Sequence, residues 1–238
     1  VLIQSPNGVH MLVDGGRFPS RLLTALGDRL PYYDREIEIL AITQPDEYDL
    51  SALNAVLDRY TIGVALLNGQ PNQNETMLQL QDRLMTNTQM VDVKAGYQIE
   101  LDDGVVMDVL NPQGTPEITD PLNDEVMVLR IRYGEVSILL TGDLSREAQQ
   151  TIIENGISPT ASILQLPQHG TIQSLDEDFL RLVQPQVILL QSDRANRRGD
   201  PDADVLAMLG DIPIFRTDEH GTIHLSSDGQ TIWVVGDN

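Results

Sequence analysis

The stretch that decides the fold runs from Glu36 to Asn68 and reads EIEILAITQPDEYDLSALNAVLDRYTIGVALLN. It opens with an apolar run that is typical of a buried strand, and a second such run follows near its end. Between the two runs, apolar residues from Leu50 to Tyr60 recur at the spacing of a helix. This order of strand, helix and strand predicts a parallel or mixed sheet with helices packed outside it.

Turn and cap signals extend the pattern towards the N-terminus. The segments VLIQS and HMLVDGG flank Pro6-Asn7-Gly8, which predicts a β-hairpin. Ser20 is predicted to cap a helix that Pro31 ends.

The second half of the sequence repeats this organisation. The segment EVMVLRIRYGEVSILLTGD predicts a hairpin turning at Gly134, and Ser145 is predicted to cap a helix that Gly156 ends. Strand, loop, helix and strand then recur from SILQLP to QVILLQS. Each half thus supplies a sheet flanked by helices, and no long linker separates them. The sequence therefore predicts an α/β four-layer αββα sandwich, as a single domain over residues 1–238.

Composition limits the possible functions. The 238 residues include no cysteine, which excludes disulfides and thiolate metal sites. No stretch approaches the roughly 18 apolar residues needed to cross a bilayer, so we expect no membrane insertion of this domain. The chain begins at Val1 inside an apparent strand, and we expect it to be excised from a larger protein.

The formal net charge of -21 repels phosphate backbones and so disfavours DNA as a partner unless a basic patch is present. The best such cluster lies in the segment RANRRGD and contains Arg194, Arg197 and Arg198.

Polar loops follow several of the predicted strands, at residues 43–49, 141–143, 167–171 and 196–204. Ligands of α/β proteins gather at the ends of strands, so these loops are the candidate functional segments.

Six motifs occur along the chain in a recognisable order: MLVDGG, LAITQPDEYDLSALNAVLDRY, VLRIRYGEVSILLTGDLS, LQLPQHGT, NRRGDPDADVL and FRTDEHGTI. In these motifs the chain resembles the metallo-β-lactamase-like C-terminal domain of ComEC, a bacterial competence protein, over nearly its whole length. The resemblance implies the metallo-β-lactamase fold and a parent protein of DNA uptake in the bacterial cell membrane. It also implies that this domain is soluble, lies outside the cytoplasm and contacts the rest of the parent or the uptake machinery.

The chain departs from the metal ligands that this resemblance implies. The family's first loop reads Thr-His-Pro-Asp-x-Asp-His, its later loops carry a tandem histidine after proline and a His-Pro-His-Pro stretch, and its Thr-Gly-Asp motif is present here. The positions that differ hold Gln44, Tyr48, Asp49, Gln168 and residues 200–203.

The remaining donors are mostly oxygen atoms. Of the four histidines, only His169 lies in a ligand motif, so a histidine-rich dinuclear zinc centre cannot be assembled. Convergent carboxylates would instead suit Mn²⁺, Mg²⁺ or Ca²⁺. The candidate metal-ligating residues are Asp46, Asp49, Asp143, His169 and Asp202.

Each of these aspartates also has a structural interpretation. Asp49 lies where a helix N-cap belongs, and Asp46 and Asp202 follow prolines in turns. Asp143 sits in a turn ahead of a helix, where aspartate is common. In this interpretation Tyr48 fills the space that an ion would occupy.

Two further sets of residues have structural interpretations. His220 and His224, four residues apart in a strand, would lie over about 12 Å apart and would not form a metal pair. Asp14 is expected to brace the adjacent loops through hydrogen bonds, and Gly15 and Gly16 to let the backbone approach a neighbour.

These observations lead us to expect a non-catalytic domain of a ComEC-type protein without a cofactor. The alternative is a Mn²⁺- or Mg²⁺-dependent phosphodiesterase or nuclease that acts on DNA through the carboxylates. A third hypothesis is binding of single-stranded DNA without catalysis, which the charge and the 4% aromatic content oppose.

Overall fold

The computed structural model describes residues 1–71, 74–117, 121–197 and 199–237. The chain divides into two compact units. The first unit comprises Val1–Lys94 and Gly114–Leu122, and the second comprises Ala95–Gln113 and Asn123–Asn238.

The first unit alternates strands and helices. Its elements are β1 (Leu2–Gln4), β2 (His10–Val13), α1 (Pro19–Arg29), β3 (Glu36–Ile42), α2 (Glu47–Leu50), α3 (Leu53–Leu57), β4 (Thr61–Leu67), α4 (Glu75–Leu84) and β5 (Gln89–Asp92). The strands form one sheet in the order β1-β2-β3-β4-β5. Strands β1 and β2 are antiparallel and the others pair in parallel, which confirms both the predicted hairpin and the predicted strand–helix–strand unit.

The helices of the first unit pack onto its sheet through one hydrophobic cluster. Leu40 of β3, Leu53 of α3 and Leu80 of α4 are all fully buried in it. Burial of this kind removes apolar area from water and is the main force that holds helices to a sheet.

Helix α1 begins differently from the prediction. Its N-cap is Phe18, which makes no side-chain capping bond, and Pro19 occupies the first helical position. The prediction that Ser20 caps this helix was therefore wrong. Proline fixes φ near the helical value and lacks the N–H that a helix start leaves unpaired, so the helix can begin without a polar cap.

The helix predicted after β3 is broken into two short ones. Asp46, rather than Asp49, is the N-cap, because its carboxylate accepts a hydrogen bond from the backbone N–H of Tyr48 at 2.7 Å. The N–H of Ala52 then donates to the carbonyl of Gly16 at 3.0 Å, outside the helix. The interpretation of Asp49 as an N-cap was wrong for this reason: the helix already starts at Glu47.

The second unit contains the remaining elements. They are β6 (Gln98–Glu100), β7 (Val105–Asn111), β8 (Val128–Tyr133), β9 (Val136–Leu140), α5 (Arg146–Glu154), β10 (Ile163–Gln165), a 3₁₀ turn (Pro167–Gly170), α6 (Glu177–Val183), β11 (Val187–Leu190), α7 (Ala203–Leu209), β12 (Ile214–Arg216), α8 (Thr217–His220), β13 (Ile223–Ser227) and β14 (Ile232–Gly236).

The sheet of the second unit has the order β12-β11-β10-β9-β8-β7-β6, and β13 and β14 pair separately. The hairpin of β8 and β9 turns at Gly134 and Ser145 caps α5, as predicted. Strands β9, β10, β11 and β12 pair in parallel. The C-terminal ends of β9 and β10 therefore lie at the same edge of the sheet, which brings the loops 141–143 and 167–171 together.

Candidate functional site

The loop 43–49 of the first unit is fixed at its start by Asp14. One carboxylate oxygen of Asp14 accepts a hydrogen bond from the Thr43 backbone N–H at 2.9 Å, and the other accepts one from the Thr43 hydroxyl at 2.7 Å. The expectation that Asp14 braces this loop is confirmed. Burial raises the pKa of Asp14 to about 7, the charge of Asp49 adds to the rise, and the bonds from Thr43 oppose it.

The two glycines after Asp14 let the backbone reach the same loop. The N–H groups of Gly15 and Gly16 both donate to the carbonyl oxygen of Asp49, at 2.9 and 2.8 Å. A Cβ on Gly15 would lie 2.7 Å from Cγ of Leu53, and Gly16 has a φ of +71°. Both positions therefore need glycine, as predicted.

A direct hydrogen bond joins the two positions of this loop where the family carries histidines. The side-chain amide of Gln44 donates to the carboxylate of Asp49, with Nε2 2.9 Å from Oδ2. Gln44 is only 2% exposed. The side-chain N–H of Gln44 thus satisfies one acceptor site of the Asp49 carboxylate.

Asp46 and Tyr48 have other surroundings in the same loop. The Asp46 carboxylate caps α2, as described above. Tyr48 is 61% exposed, and the guanidinium carbon of Arg17 lies 5.0 Å from the centre of its ring. Tyr48 therefore does not fill an interior space, and that interpretation was wrong.

The second unit brings Asp143 and His169 together. Nε2 of His169 lies 4.0 Å from Oδ1 of Asp143, and the two side chains are 47% and 35% exposed. Nδ1 of His169 lies 2.9 Å from the carbonyl oxygen of Gln191, which fits a proton on Nδ1. A carbonyl partner at one ring nitrogen leaves the other with its lone pair available, which is the usual arrangement of a metal-binding histidine. Gln191 carried no sequence signal, because its backbone makes this contact.

Gln168, at the first position of the family's tandem histidine, holds the loop of Asp143. Its amide donates to the carbonyl oxygens of Asp143 and Leu144, both at 3.3 Å. Gln168 and His169 are consecutive residues with positive φ, 47° and 57°. Positive φ is uncommon for residues other than glycine, so these contacts compensate for strain in the turn.

Asp202 lies beside this turn but its carboxylate is used as a cap. Its backbone N–H donates to the carbonyl of Gly170 at 2.8 Å, and its side chain accepts from the N–H of Asp204 at 2.9 Å at the start of α7. The hydrogen bond from Asp204 thus supports the interpretation of Asp202 as a structural residue rather than a metal ligand.

Four of the five candidate donors are aspartates and only His169 is a histidine, so the chemistry of the donor set does not fit a histidine-rich dinuclear zinc centre. Within the described ranges, no group of three or more histidine, cysteine, aspartate or glutamate side chains is placed to hold a metal ion.

His220 and His224 have separate partners. His220 lies in α8 rather than in a strand, contrary to our expectation, and its Nδ1 lies 3.1 Å from the backbone nitrogen and 3.0 Å from the carbonyl oxygen of Arg216. Nε2 of His224 in β13 lies 2.9 Å from the carboxylate of Asp237.

The arginine cluster predicted as a basic patch is only partly described. Arg194 and Arg197 are exposed, and Arg198 lies outside the described residues.

Comparison with known proteins gives sequence relatives among competence proteins. No protein-family model matches the chain. Over 194 residues, 79% of this chain, it is 26% identical to ComE operon protein 3 of Bacillus subtilis (strain 168). Over 124 residues, 51% of this chain, it is 30% identical to competence protein ComA of Neisseria gonorrhoeae. The matches span 24% and 18% of the lengths of these curated relatives.

Comparison with solved structures gives the fold. The metallo-β-lactamase fold protein YhfI from Bacillus subtilis matches with a TM-score of 0.56 at 14% identity, covering 98% of this chain and 89% of that one. The chain therefore has the predicted metallo-β-lactamase fold, and its resemblance to the metallo-β-lactamase-like domain of ComEC-type competence proteins is confirmed.

Proposed function

We propose that this chain is a non-catalytic metallo-β-lactamase-like domain of a ComEC-type competence protein, serving assembly or partner contacts. The observation that carries the proposal is the 2.9 Å hydrogen bond between the side chains of Gln44 and Asp49. These residues stand where the family's motif would present two imidazoles to metal, and here their side chains are hydrogen-bonded to each other.

The other donors of the family's motif support the same function. Zn²⁺ in a hydrolytic site is held by three protein ligands and keeps an open position for water. Asp46 and Asp202 already accept hydrogen bonds from the first turns of α2 and α7. A metal would have to compete with both capping bonds, and each is worth about 1 kcal/mol.

Metal content and turnover test this proposal directly. The purified chain, exposed to Zn²⁺ and then desalted, is expected to retain less than one equivalent of metal by elemental analysis and to hydrolyse neither DNA nor a simple phosphodiester. The variant Gln44→His/Tyr48→Asp/Asp49→His, which restores the family's first loop, serves as the matched control for metal retention. Stoichiometric zinc in the unaltered chain would refute the proposal.

A second candidate function is a Mn²⁺- or Mg²⁺-dependent phosphodiesterase or nuclease. The observation that favours it is the pair of His169 and Asp143, because His169 keeps Nε2 available beside a carboxylate. These two residues of the second unit would contribute ligands to the ion, which would supply an activated water when bound.

The test of this second function is Mn²⁺- or Mg²⁺-dependent cleavage of DNA that is lost in Asp143→Ala. Asp178→Ala is the control, since Asp178 is an exposed residue of α6 that pairs with its neighbour Arg181. Activity that survives in Asp143→Ala, or that is absent with every divalent ion, rules out this function.

The place of the domain in a larger protein is part of the proposal. We infer that its partners are the rest of a ComEC-type membrane protein or its uptake machinery, and that it lies outside the cytoplasm. Among the described residues, no helix has the length and apolar character needed to span a bilayer. Digestion of the domain by a protease added to intact cells, in the full-length parent, would support the extracytoplasmic location, and protection would contradict it.

A further inference from the structure

The C-terminal hairpin of the second unit carries apolar residues that the protein leaves uncovered. Its strands β13 and β14 pair in antiparallel register and form a sheet of their own. Strand β14 reads IWVVG, yet none of its residues is buried, and none of the residues of β13 is buried either. A two-stranded sheet by itself is marginally stable in water, and a third strand or a covering layer normally completes it.

One face of the hairpin exposes large apolar side chains. Trp233 is 49% exposed and Val235 is 60% exposed, and because they are two residues apart they lie on the same side of β14. Their cross-strand neighbours in β13 are Ser226 and His224. An aromatic side chain beside a β-branched one is a favourable surface for the side chains of a further strand.

The outer edge of β14 has none of the usual protection against strand addition. Natural edge strands carry charged residues, proline or a bulge that prevents pairing with another chain. Strand β14 contains neither a charged residue nor proline, and its register with β13 has no bulge. In the described parts of the chain, no third strand pairs with this hairpin. Alternate N–H and C=O groups of β14 point away from β13, so they are placed to bond an added strand.

Acidic side chains lie at both ends of β14. Asp228 lies in the turn before it and Asp237 follows it directly, and both are exposed. Glu135 is exposed near the same turn, because its backbone N–H donates to the carbonyl of Gly229 at 2.6 Å. After Arg216 the chain contains no lysine or arginine. A complementary strand would therefore be apolar at its centre and basic at its ends.

We propose that β14 binds an extended, basic segment of a partner protein as an added strand. Apolar residues at alternate positions of the segment cover Trp233 and Val235, and lysine or arginine at its ends meets Glu135, Asp228 and Asp237. A second copy of this chain would bring the same acidic ends and a net charge of -21 to this edge. Charge therefore favours a basic partner over self-association.

This inference rests on the proposed function, because it gives the partner contacts of that function a location on the second unit. It makes no statement about catalysis. Metal retention and strand binding are separate measurements, so either result can fail without the other.

Titration with a synthetic peptide tests the proposal. The probe is Lys-Lys-Val-Thr-Val-Thr-Val-Lys-Lys with blocked ends, added at low salt, and the readout is the fluorescence of Trp233. Because Trp233 is the only tryptophan of the chain, its emission reports binding at this hairpin. We expect the emission to move to shorter wavelength and quenching by acrylamide to decrease. The same peptide with proline at its centre, or with glutamate in place of lysine, is expected to bind about tenfold more weakly or less.

Two variants test the edge and its charges. Val235→Lys places a charge on the edge strand and is expected to weaken binding of the lysine peptide about tenfold or more. Glu135→Gln/Asp228→Asn removes two charges but keeps side chains of the same size, and is expected to weaken binding about threefold or more.

Two matched controls should bind the peptide like the unaltered chain. Leu78→Lys adds the same charge at an exposed leucine of α4, and Glu177→Gln/Asp178→Asn removes two charges from exposed acidic residues of α6. Losses confined to the two hairpin variants, with unaltered circular dichroism, support the proposal.

Three outcomes would overturn the proposal. They are the absence of peptide binding, equal losses in the control variants, and equal binding of the proline peptide. The proline peptide is tested on the unaltered chain, so the experiment decides the question even where Val235→Lys fails to fold. An emission of Trp233 that changes with protein concentration in the absence of peptide would also overturn the proposal, because the edge would then bind a second copy.

Discussion

Asp14 gives the sharpest test of how the first unit holds its loop. Its pKa is raised from 3.8 to about 7, chiefly by burial and then by the charge of Asp49. Since the folded-state pKa lies above the unfolded value, the protonated carboxyl stabilises the fold fully below about pH 4. This contribution is lost as pH rises through about 7. A shift of about 3 units at about 1.4 kcal/mol each corresponds to about 4 kcal/mol over that range.

The substitution Asp14→Asn removes this titration and keeps an oxygen that can accept from Thr43. We expect the difference in unfolding free energy, unaltered chain minus variant, to fall by about 3 to 4 kcal/mol between about pH 4 and pH 8. Urea denaturation across this range, followed by circular dichroism, measures it. Thr43→Val removes one donor that favours the ionised carboxylate, so we expect the transition to move to higher pH. Parallel pH curves for the unaltered chain and Asp14→Asn would refute the reasoning.

Two further predictions concern stability. Burial tends to raise the pKa of Asp108, but hydrogen bonds led by the one from Arg132 outweigh burial and lower the pKa to about 2. The ionised Asp108 carboxylate therefore stabilises the folded state above the ordinary aspartate pKa, and this contribution is lost as pH falls through about 2. Asp108→Asn should therefore lower the unfolding free energy at neutral pH by about 2 kcal/mol in urea denaturation, and an unchanged midpoint would contradict this. Gly15→Ala should cost about 1 to 3 kcal/mol in the same assay, because its Cβ would meet Leu53. Gly27→Ala is the control: among the described residues, no atom beyond its chain neighbours and its own helix backbone lies within 4 Å of the added Cβ, and the helix should gain about 1 kcal/mol.

Much of the fold could be predicted from the sequence because the relevant signals are local. The strand from Glu36 and the helices after it are marked by apolar spacing, and Gly134 and Ser145 mark a turn and a cap. The two wrong N-cap predictions also arose from local signals. Ser20 and Asp49 each have the chemistry of an N-cap, but Pro19 and Asp46 lie earlier in the chain and start the helices first.

The candidate site was less predictable. The sequence alone determined which donors this protein has: Gln44 and Asp49 where the family has imidazoles, with Asp143 and His169 retained. Only the tertiary structure decided what those donors contact, including the bond from Gln44 to Asp49 and the approach of His169 to Asp143. The physical reason is the distance along the chain over which each kind of interaction acts. Propensity and spacing act over a few residues, whereas contacts between distant loops are set by the register and order of the strands that carry them.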